Sequence, residues 1–201
     1  MNRPDIEKIR QKLEKNLSAS RFEHTLGVAY TAACLAMRFG ADMNRAFLAG
    51  LLHDCAKEYK EKDLLKMREE SGIEPTAAEL NAPQVLHAVF GPYVAKKKYA
   101  VDDPEVLEAI RWHTTGKKDM SLLEQIIFTA DYIEPHRDKA RDLPEIRPLA
   151  FEDLDLCMLR ITGDTLGYLE TKGVEADPNT RNCFEWLNNC KKSKEMTDVH
   201  K

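Results

Sequence analysis

The chain has 201 residues, of which 43% are hydrophobic and 32% charged, and a formal net charge of −4. This length suits one globular domain with a core able to hold polar groups away from water. The acidic balance argues against nucleic acid or an anionic membrane as the main partner, because both require a broad basic surface, so any anionic ligand must be met locally.

Helical periodicity begins at once, with Ile6, Ile9, Leu13 and Leu17 forming a stripe that predicts a helix over 5–17. The next is expected over 20–39, with Ser20 and Glu23 in capping-box order at its start and Gly40 at its end. The apolar run Phe47 to Leu52 leads into His53-Asp54 and predicts a helix over 43–56. Further helices are expected over 61–71, stopped by Gly72, over 83–99 with Pro83 in the first turn, and over 104–113 with Pro104 likewise. Ser121 and Glu124 have capping-box form and open a helix over 121–134. Leu154, Met158, Ile161, Leu166 and Leu169 stripe a helix over 153–172 that ends at Gly173, and Pro178 opens a last one over 178–191. Asp138 to Pro148 reads as the longest connection, too short for a domain linker, and no run alternates like a half-buried strand. The expectation is therefore an all-α bundle of about eight or nine helices. It forms a single domain over 1–192, with 193–201 a frayed polar tail.

Cys34, Cys55, Cys157, Cys183 and Cys190 are odd in number and show no C-x-x-C spacing, which predicts reduced, structural thiols in a cytoplasmic protein. No signal-peptide h-region is visible, and no apolar run approaches the ~20 residues of a membrane span. The chain also lacks a G-x-S-x-G elbow, a G-x-x-x-x-G-K loop and a G-x-G-x-x-G turn. Hydrolysis, if it occurs, must be metal-assisted.

The chemistry is concentrated where polar residues interrupt apolar helices. His53-Asp54 closes an apolar run, and burying an unpaired carboxylate there would cost several kcal/mol unless a cation balanced it. The dipeptide reads as half of a metal site, with imidazole and carboxylate as donors. His24, His87 and His113 lie in partly apolar helical segments, where each taken singly reads as a core histidine satisfied by a backbone carbonyl. Asp131 shifts that balance, because it interrupts Ile126 to Ala130 and is a further carboxylate on an apolar helix.

The order H…HD…D, here His24, His53-Asp54 and Asp131, resembles the HD superfamily of all-helical, metal-dependent phosphohydrolases. Three strings narrow the resemblance: Leu52-His53-Asp54-Cys55-Ala56-Lys57, His113-Thr114-Thr115-Gly116 with Met120-Ser121 and Leu123-Glu124, and Ala130-Asp131-Tyr132-Ile133-Glu134-Pro135 with Arg137. Together they look like the YqeK-type bacterial HD hydrolases, symmetrical diadenosine tetraphosphatases, from about Arg21 to Arg147 and more loosely to the C-terminus, with the core of the HD motif over 20–137. The resemblance implies that His24, His53, Asp54 and Asp131 hold a metal, while His87 and His113 bind a second metal or the phosphate chain. It implies iron, one or two ions, although manganese, cobalt or zinc would suit the same donors. It further implies a dinucleoside polyphosphate substrate, two ADP as product, and Asp54, His87, His113 and Lys57 as the catalytic set.

Arg21, three residues before His24, and Lys57, four after His53, are expected to share a helix face with the ligands. With Arg137 and the hydroxyl of Thr114 they would meet phosphate oxygens. Lys96-Lys97-Lys98 and Lys117-Lys118 are expected to be solvated, and Trp112 and Tyr132 to fill the core. The family resemblance suggests that 173–180 covers the nucleoside, although this chain has Asp177-Pro178 where the family tends to place His-Pro. Two rivals stay open: another HD nucleotide phosphohydrolase, acting on a nucleoside monophosphate or a guanosine alarmone, and a non-enzymatic nucleotide and metal sensor. Base preference and oligomeric state stay open as well, a homodimer among the options.

Overall fold

The computed structural model describes residues 5–198, which are helical throughout, with no strand among them. In chain order the elements are α1 (Ile6–Asn16), α2 (Ala19–Phe39), α3 (Met43–Leu52), α4 (Glu61–Ser71), α5 (Ala77–Asn81), a 3-10 turn (Pro83–Val85) and α6 (Leu86–Tyr99). They continue with α7 (Pro104–Trp112), α8 (Leu122–Ile133), α9 (Leu143–Glu152), α10 (Leu154–Thr171) and α11 (Pro178–Asp198). The all-α expectation holds, but eleven α-helices replace the eight or nine expected. The two additions, α5 and α9, are 5 and 10 residues long, so neither carries enough turns for a clear apolar stripe. α5 does carry a readable start, a Thr76–Glu79 capping box. α9 occupies most of the segment read as a connection and begins with Leu143-Pro144.

Caps explain other differences. Ser18, not Ser20, precedes α2, and its hydroxyl donates to Glu58 Oε1 at 2.8 Å instead of capping the helix. The Ser121–Glu124 box forms as expected. α3 stops at Leu52 rather than running to 56, because tight i to i−3 bonds take over: Cys55 N–H to the Leu52 carbonyl at 3.0 Å and Lys57 N–H to the Asp54 carbonyl at 2.9 Å. These turns aim Asp54 and Lys57 in directions a continuing helix would not provide. α11 continues past 191 to Asp198, and residues 199–201 of the expected frayed tail lie outside the described residues.

α2 runs through the middle, packed against α3 and α8, while α7 bridges α3, α6 and α8, and α10 closes the bundle against α8, α9 and α11. Leu35, Leu51, Leu52, Phe90, Ile110, Ile126, Ile127 and Met158 are fully buried between them. Each contributes about 1.5–3 kcal/mol on leaving water. Gly50 sets the closest helix approach: a Cβ there would stand 2.8 Å from the Ala29 Cα, so only a glycine lets α3 lie against the backbone of α2. That contact is one turn from His53 and holds its ring 5.2 Å, centre to centre, from that of His24. Among the described residues no helix is long and apolar enough to cross a membrane.

Candidate metal centre

Three helices and the turns that end two others deliver the expected donors to one point. His24 comes from α2, His53 and Asp54 from the turn after α3, His87 from the first turn of α6, His113 from the end of α7, and Asp131 from α8. His53 Nε2 lies 3.3 Å from His24 Nε2 and 3.4 Å from Asp54 Oδ2. His87 Nε2 lies 3.2 Å from both His113 Nε2 and Asp54 Oδ1. Asp131 Oδ1 is 3.1 Å from His24 Nε2. All four histidines are buried, as is Asp54.

The outer ring nitrogens decide what these distances mean. His53 Nδ1 faces the Gly50 carbonyl at 2.6 Å and His113 Nδ1 faces the Ile110 carbonyl at 2.7 Å. A carbonyl only accepts, so each Nδ1 carries the hydrogen and each neutral ring turns an Nε2 lone pair inward. Asp54 Oδ1 has no hydrogen-bond partner even though the Nε2 atoms of His87 and His113 are 3.2 and 3.5 Å away. Lone pairs and a carboxylate facing one another in a desolvated pocket repel, and a divalent cation removes the conflict. The donors fall into two overlapping groups, His24 with His53 and Asp131, and His53 with Asp54 and His113. Asp54 turns Oδ2 toward the first group and Oδ1 toward His87 and His113. The residues fit a divalent metal.

Charge is balanced at close range. Burial would raise the Asp54 carboxyl, and positive charge or N–H donation from its imidazole neighbours, His53 first, lowers it well below the usual carboxylate range; where those rings turn lone pairs inward, a bound cation must supply that charge. Asp131 is likewise lowered, since His24, His53 and Arg137 outweigh its desolvation. Burial and the neighbouring His113 and Lys57 bring His87 down to about 4, which keeps it a neutral donor.

The three expected cations all reach the cluster, by routes the helical register did not indicate. Arg21 Nη1 pairs with Asp54 Oδ2 at 2.8 Å, across 33 residues of sequence. Lys57 lies in the turn and not on a helix face shared with His53, and its Nζ stands 3.2 Å from His87 Nε2. Arg137 donates through Nη2 to Asp131 Oδ1 at 2.7 Å and through Nε to the Asp131 carbonyl at 2.9 Å. The Thr114 hydroxyl sits 3.2 Å from His87 Nε2 and 3.0 Å from His113 Nε2. Lys117, expected to be a solvated cation, instead pairs with the buried Glu124 at 2.8 Å.

The cluster opens into a cleft of about 830 Å³ edged by Arg21, His24, His113, Thr114, Asp131 and Arg137. Its outer wall comes from Phe128 and Tyr132 of α8, the 136–140 turn, and Ile161 and Thr165 of α10. Tyr132, expected in the core, thus borders the cleft. α10 carried no functional signal in the sequence, because Ile161 and Thr165 are ordinary residues on a striped helix. In 173–180 the Asn179 amide is already taken by Asp177 Oδ1 at 2.8 Å. A second cavity of about 650 Å³, lined by Tyr30, Met37 and Phe47, is apolar and contains no convergent metal donors, so the chemistry lies in the first.

Comparison with known proteins agrees with this geometry. Residues 21–136 match the HD domain family. The chain is 37% identical to the symmetrical bis(5'-nucleosyl)-tetraphosphatase of Bacillus subtilis (strain 168), covering 87% of this chain and 93% of that one. It is 33% identical to the protein of the same name from Staphylococcus aureus (strain NCTC 8325 / PS 47), covering 92% and 95%. The crystal structure of a predicted HD superfamily hydrolase involved in NAD metabolism, from Clostridium acetobutylicum, superimposes with a TM-score of 0.89 at 37% identity, over 92% of this chain and 97% of that one.

Proposed function

The chain belongs to the HD domain family, and from that premise we propose that it is a metal-dependent hydrolase that cleaves diadenosine tetraphosphate symmetrically into two ADP. The observation that carries this reading is Asp54: a buried carboxylate, ringed by imidazoles, with one oxygen unpartnered, in contact with the His24 and His113 side chains that line a cleft edged by Arg21 and Arg137. Identity of 33–37% to tetraphosphatases over nearly their whole length supplies the substrate class.

In this reading His24, His53, Asp54 and Asp131 hold the metal, and His87 and His113 take a second ion or the phosphate chain. Asp54, with its two oxygens turned to different histidines, would belong to both ligand sets if two ions are held. Iron is our choice, with manganese, cobalt and zinc compatible with the same nitrogen and oxygen donors. A bound divalent ion supplies Lewis acidity at phosphate and makes water available as a nucleophile near neutral pH. The protein's own groups do the rest. Arg21 and Arg137, anchored on Asp54 and Asp131, hold fixed positive charge at the cleft edge, where a polyphosphate presents several anionic oxygens. Lys57, beside His87, and the Thr114 hydroxyl complete the donors that meet negative charge growing on the inner phosphates as the central anhydride breaks. Because the side chains are braced before substrate arrives, little reorganisation remains for the reacting complex. Phe128, Tyr132, Ile161 and Thr165 offer one nucleoside a mixed wall beside the phosphates. The five unpaired cysteines, three of them buried, support a reducing, cytoplasmic setting.

Incubation with diadenosine tetraphosphate, followed by anion-exchange separation, tests the reaction. ADP should be the sole early product, and AMP together with ATP would sink symmetrical cleavage. Elemental analysis of the purified protein should identify the metal.

A further inference from the structure

Three of the four histidines have an outer nitrogen held by a definite acceptor, and the acceptors differ for a structural reason. His53 and His113 follow the last residues of α3 and α7, where carbonyls have no helical N–H to pair with, and each takes the carbonyl three residues back. His24 sits in the body of α2 (Ala19–Phe39), where carbonyls are occupied by the helix ladder. Its Nδ1 instead faces Glu134 Oε1 at 3.0 Å, across 110 residues of sequence.

Glu134 is built into that position. Pro135 disfavours helical geometry at the residue before it, so α8 ends at Ile133 and Glu134 is extended (φ −51°, ψ 154°), turned back toward α2. Its side chain is 1% exposed, and Oε2 accepts from the His136 N–H at 2.7 Å, which leaves Oε1 for the histidine. Arg147 pins the same turn, donating to the Ile133, Glu134 and Arg137 carbonyls, each at 2.9 Å. On the α2 side, a Cβ at Gly27 would stand 2.4 Å from Glu134 Oε2, so the carboxylate lies in space that only a glycine leaves open.

We propose that Glu134 is a positioning residue of the metal centre: its carboxylate, seated against Gly27, fixes the tautomer and ring angle of His24 so that Nε2 is directed at His53 and Asp131. The inference rests on the metal assignment made above. A carboxylate does this more strongly than a backbone carbonyl, because its charge also raises the donor strength of the imidazole, and loss of such a partner typically weakens metal binding by about 10–100-fold.

Manganese affinity of the whole chain, measured by chelator competition, tests the proposal, with thermal midpoints recorded in the absence of metal. E134A should bind manganese about 10–100-fold more weakly than wild type. E134Q keeps the volume and an accepting oxygen, so it should fold as wild type and fall between the two. G27A, whose new methyl displaces the carboxylate, should follow E134A. Saturating manganese should restore turnover in E134Q, which a purely structural role for Glu134 would not produce. Wild-type affinity in both E134A and E134Q would overturn the proposal. Wild-type protein that binds manganese but leaves the tetraphosphate intact would instead overturn the reaction, with the role of Glu134 judged by affinity alone.

Discussion

Glu79 and Glu124 are buried as deeply as Asp54, at 2% exposed against 3%, yet the two regions treat a buried carboxylate in opposite ways. Glu79 accepts from the Thr76 N–H at 2.8 Å and is paired with the Arg111 guanidinium. Glu124 accepts from the Ser121 N–H at 2.6 Å and is paired with Lys117. Both are helix-capping residues whose oxygens are satisfied by local backbone and one cation. Asp54 has a cation on Oδ2 only, while Oδ1 faces imidazole nitrogens with no hydrogen bond. Burial by itself therefore says little about role. What distinguishes a ligand from a brace is whether the protein alone completes the group's bonding, and the comparison can be broken or sharpened by removing each kind of carboxylate in turn.

The largest effect should come from Asp54→Ala, with turnover lowered by more than about a thousandfold and bound metal lost. Glu79→Gln and Glu124→Gln should keep turnover within about twofold, since surviving activity is the mark of a brace. Without metal the order of stability loss should reverse, because Asp54→Ala removes an oxygen that faces imidazole nitrogens unpartnered and leaves only the part-exposed Arg21 without its pair, whereas Glu79→Gln and Glu124→Gln break fully satisfied buried pairs. An active, metal-free Asp54→Ala protein would end the distinction.

Next come the cations. Lys57→Ala and Arg137→Ala should each lower kcat by about 10²–10³-fold, the usual loss when one preorganised donor is removed. Lys117→Ala, whose cation serves Glu124, should leave kcat unchanged and lower only the unfolding midpoint. Equal kinetics for all three variants would erase the contrast between the regions.

Metal removal provides an intermediate effect. An ion present at about a hundred times its Kd adds about 2.7 kcal/mol, or roughly 5–10 °C for a chain of this size. Manganese added to chelator-stripped protein should raise the midpoint of wild type and of Glu79→Gln by this amount, and that of Asp54→Ala by almost nothing.

The smallest effect concerns pH. Burial would raise the Glu79 carboxyl, but the Thr76 backbone and Arg111 outweigh it and hold it below its ordinary value. A group whose folded value is depressed stabilises the fold above its unfolded value and loses that contribution as pH falls through the folded one. Urea midpoints should show Glu79→Gln weaker than wild type by about 1–3 kcal/mol at pH 7, with the difference shrinking below about pH 4.5. A difference that grows with acidity would contradict the assignment of Glu79 as an ionised brace.

The helices with long apolar stripes were legible from periodicity, and so were the terminators Gly40 and Gly72, because 3.6-residue spacing and the left-handed cap are local properties. α5 and α9 escaped because short helices owe their stability to tertiary packing rather than to a pattern of their own. The site's donors were legible one by one, since a histidine or aspartate in an apolar run is chemically conspicuous. Their partners were not. Arg21 was expected to work beside His24 and instead holds Asp54, and Lys57 reaches His87 because the helix ends before it. Glu134 was visible only as part of a motif, since nothing near it in sequence marks it as the acceptor for a histidine 110 residues away.

The sequence by itself determined the helical class, the donor types and the presence of acid and imidazole where water is excluded, because composition and short-range periodicity govern these. Only the tertiary structure decided which nitrogen of each histidine points inward, which oxygen of Asp54 is left unpartnered, and which cation guards which carboxylate. Those depend on the approach of α3 to α2 at Gly50 and on the turns after α3 and α8. A shift of one ångström there would separate the donors without altering a single local propensity.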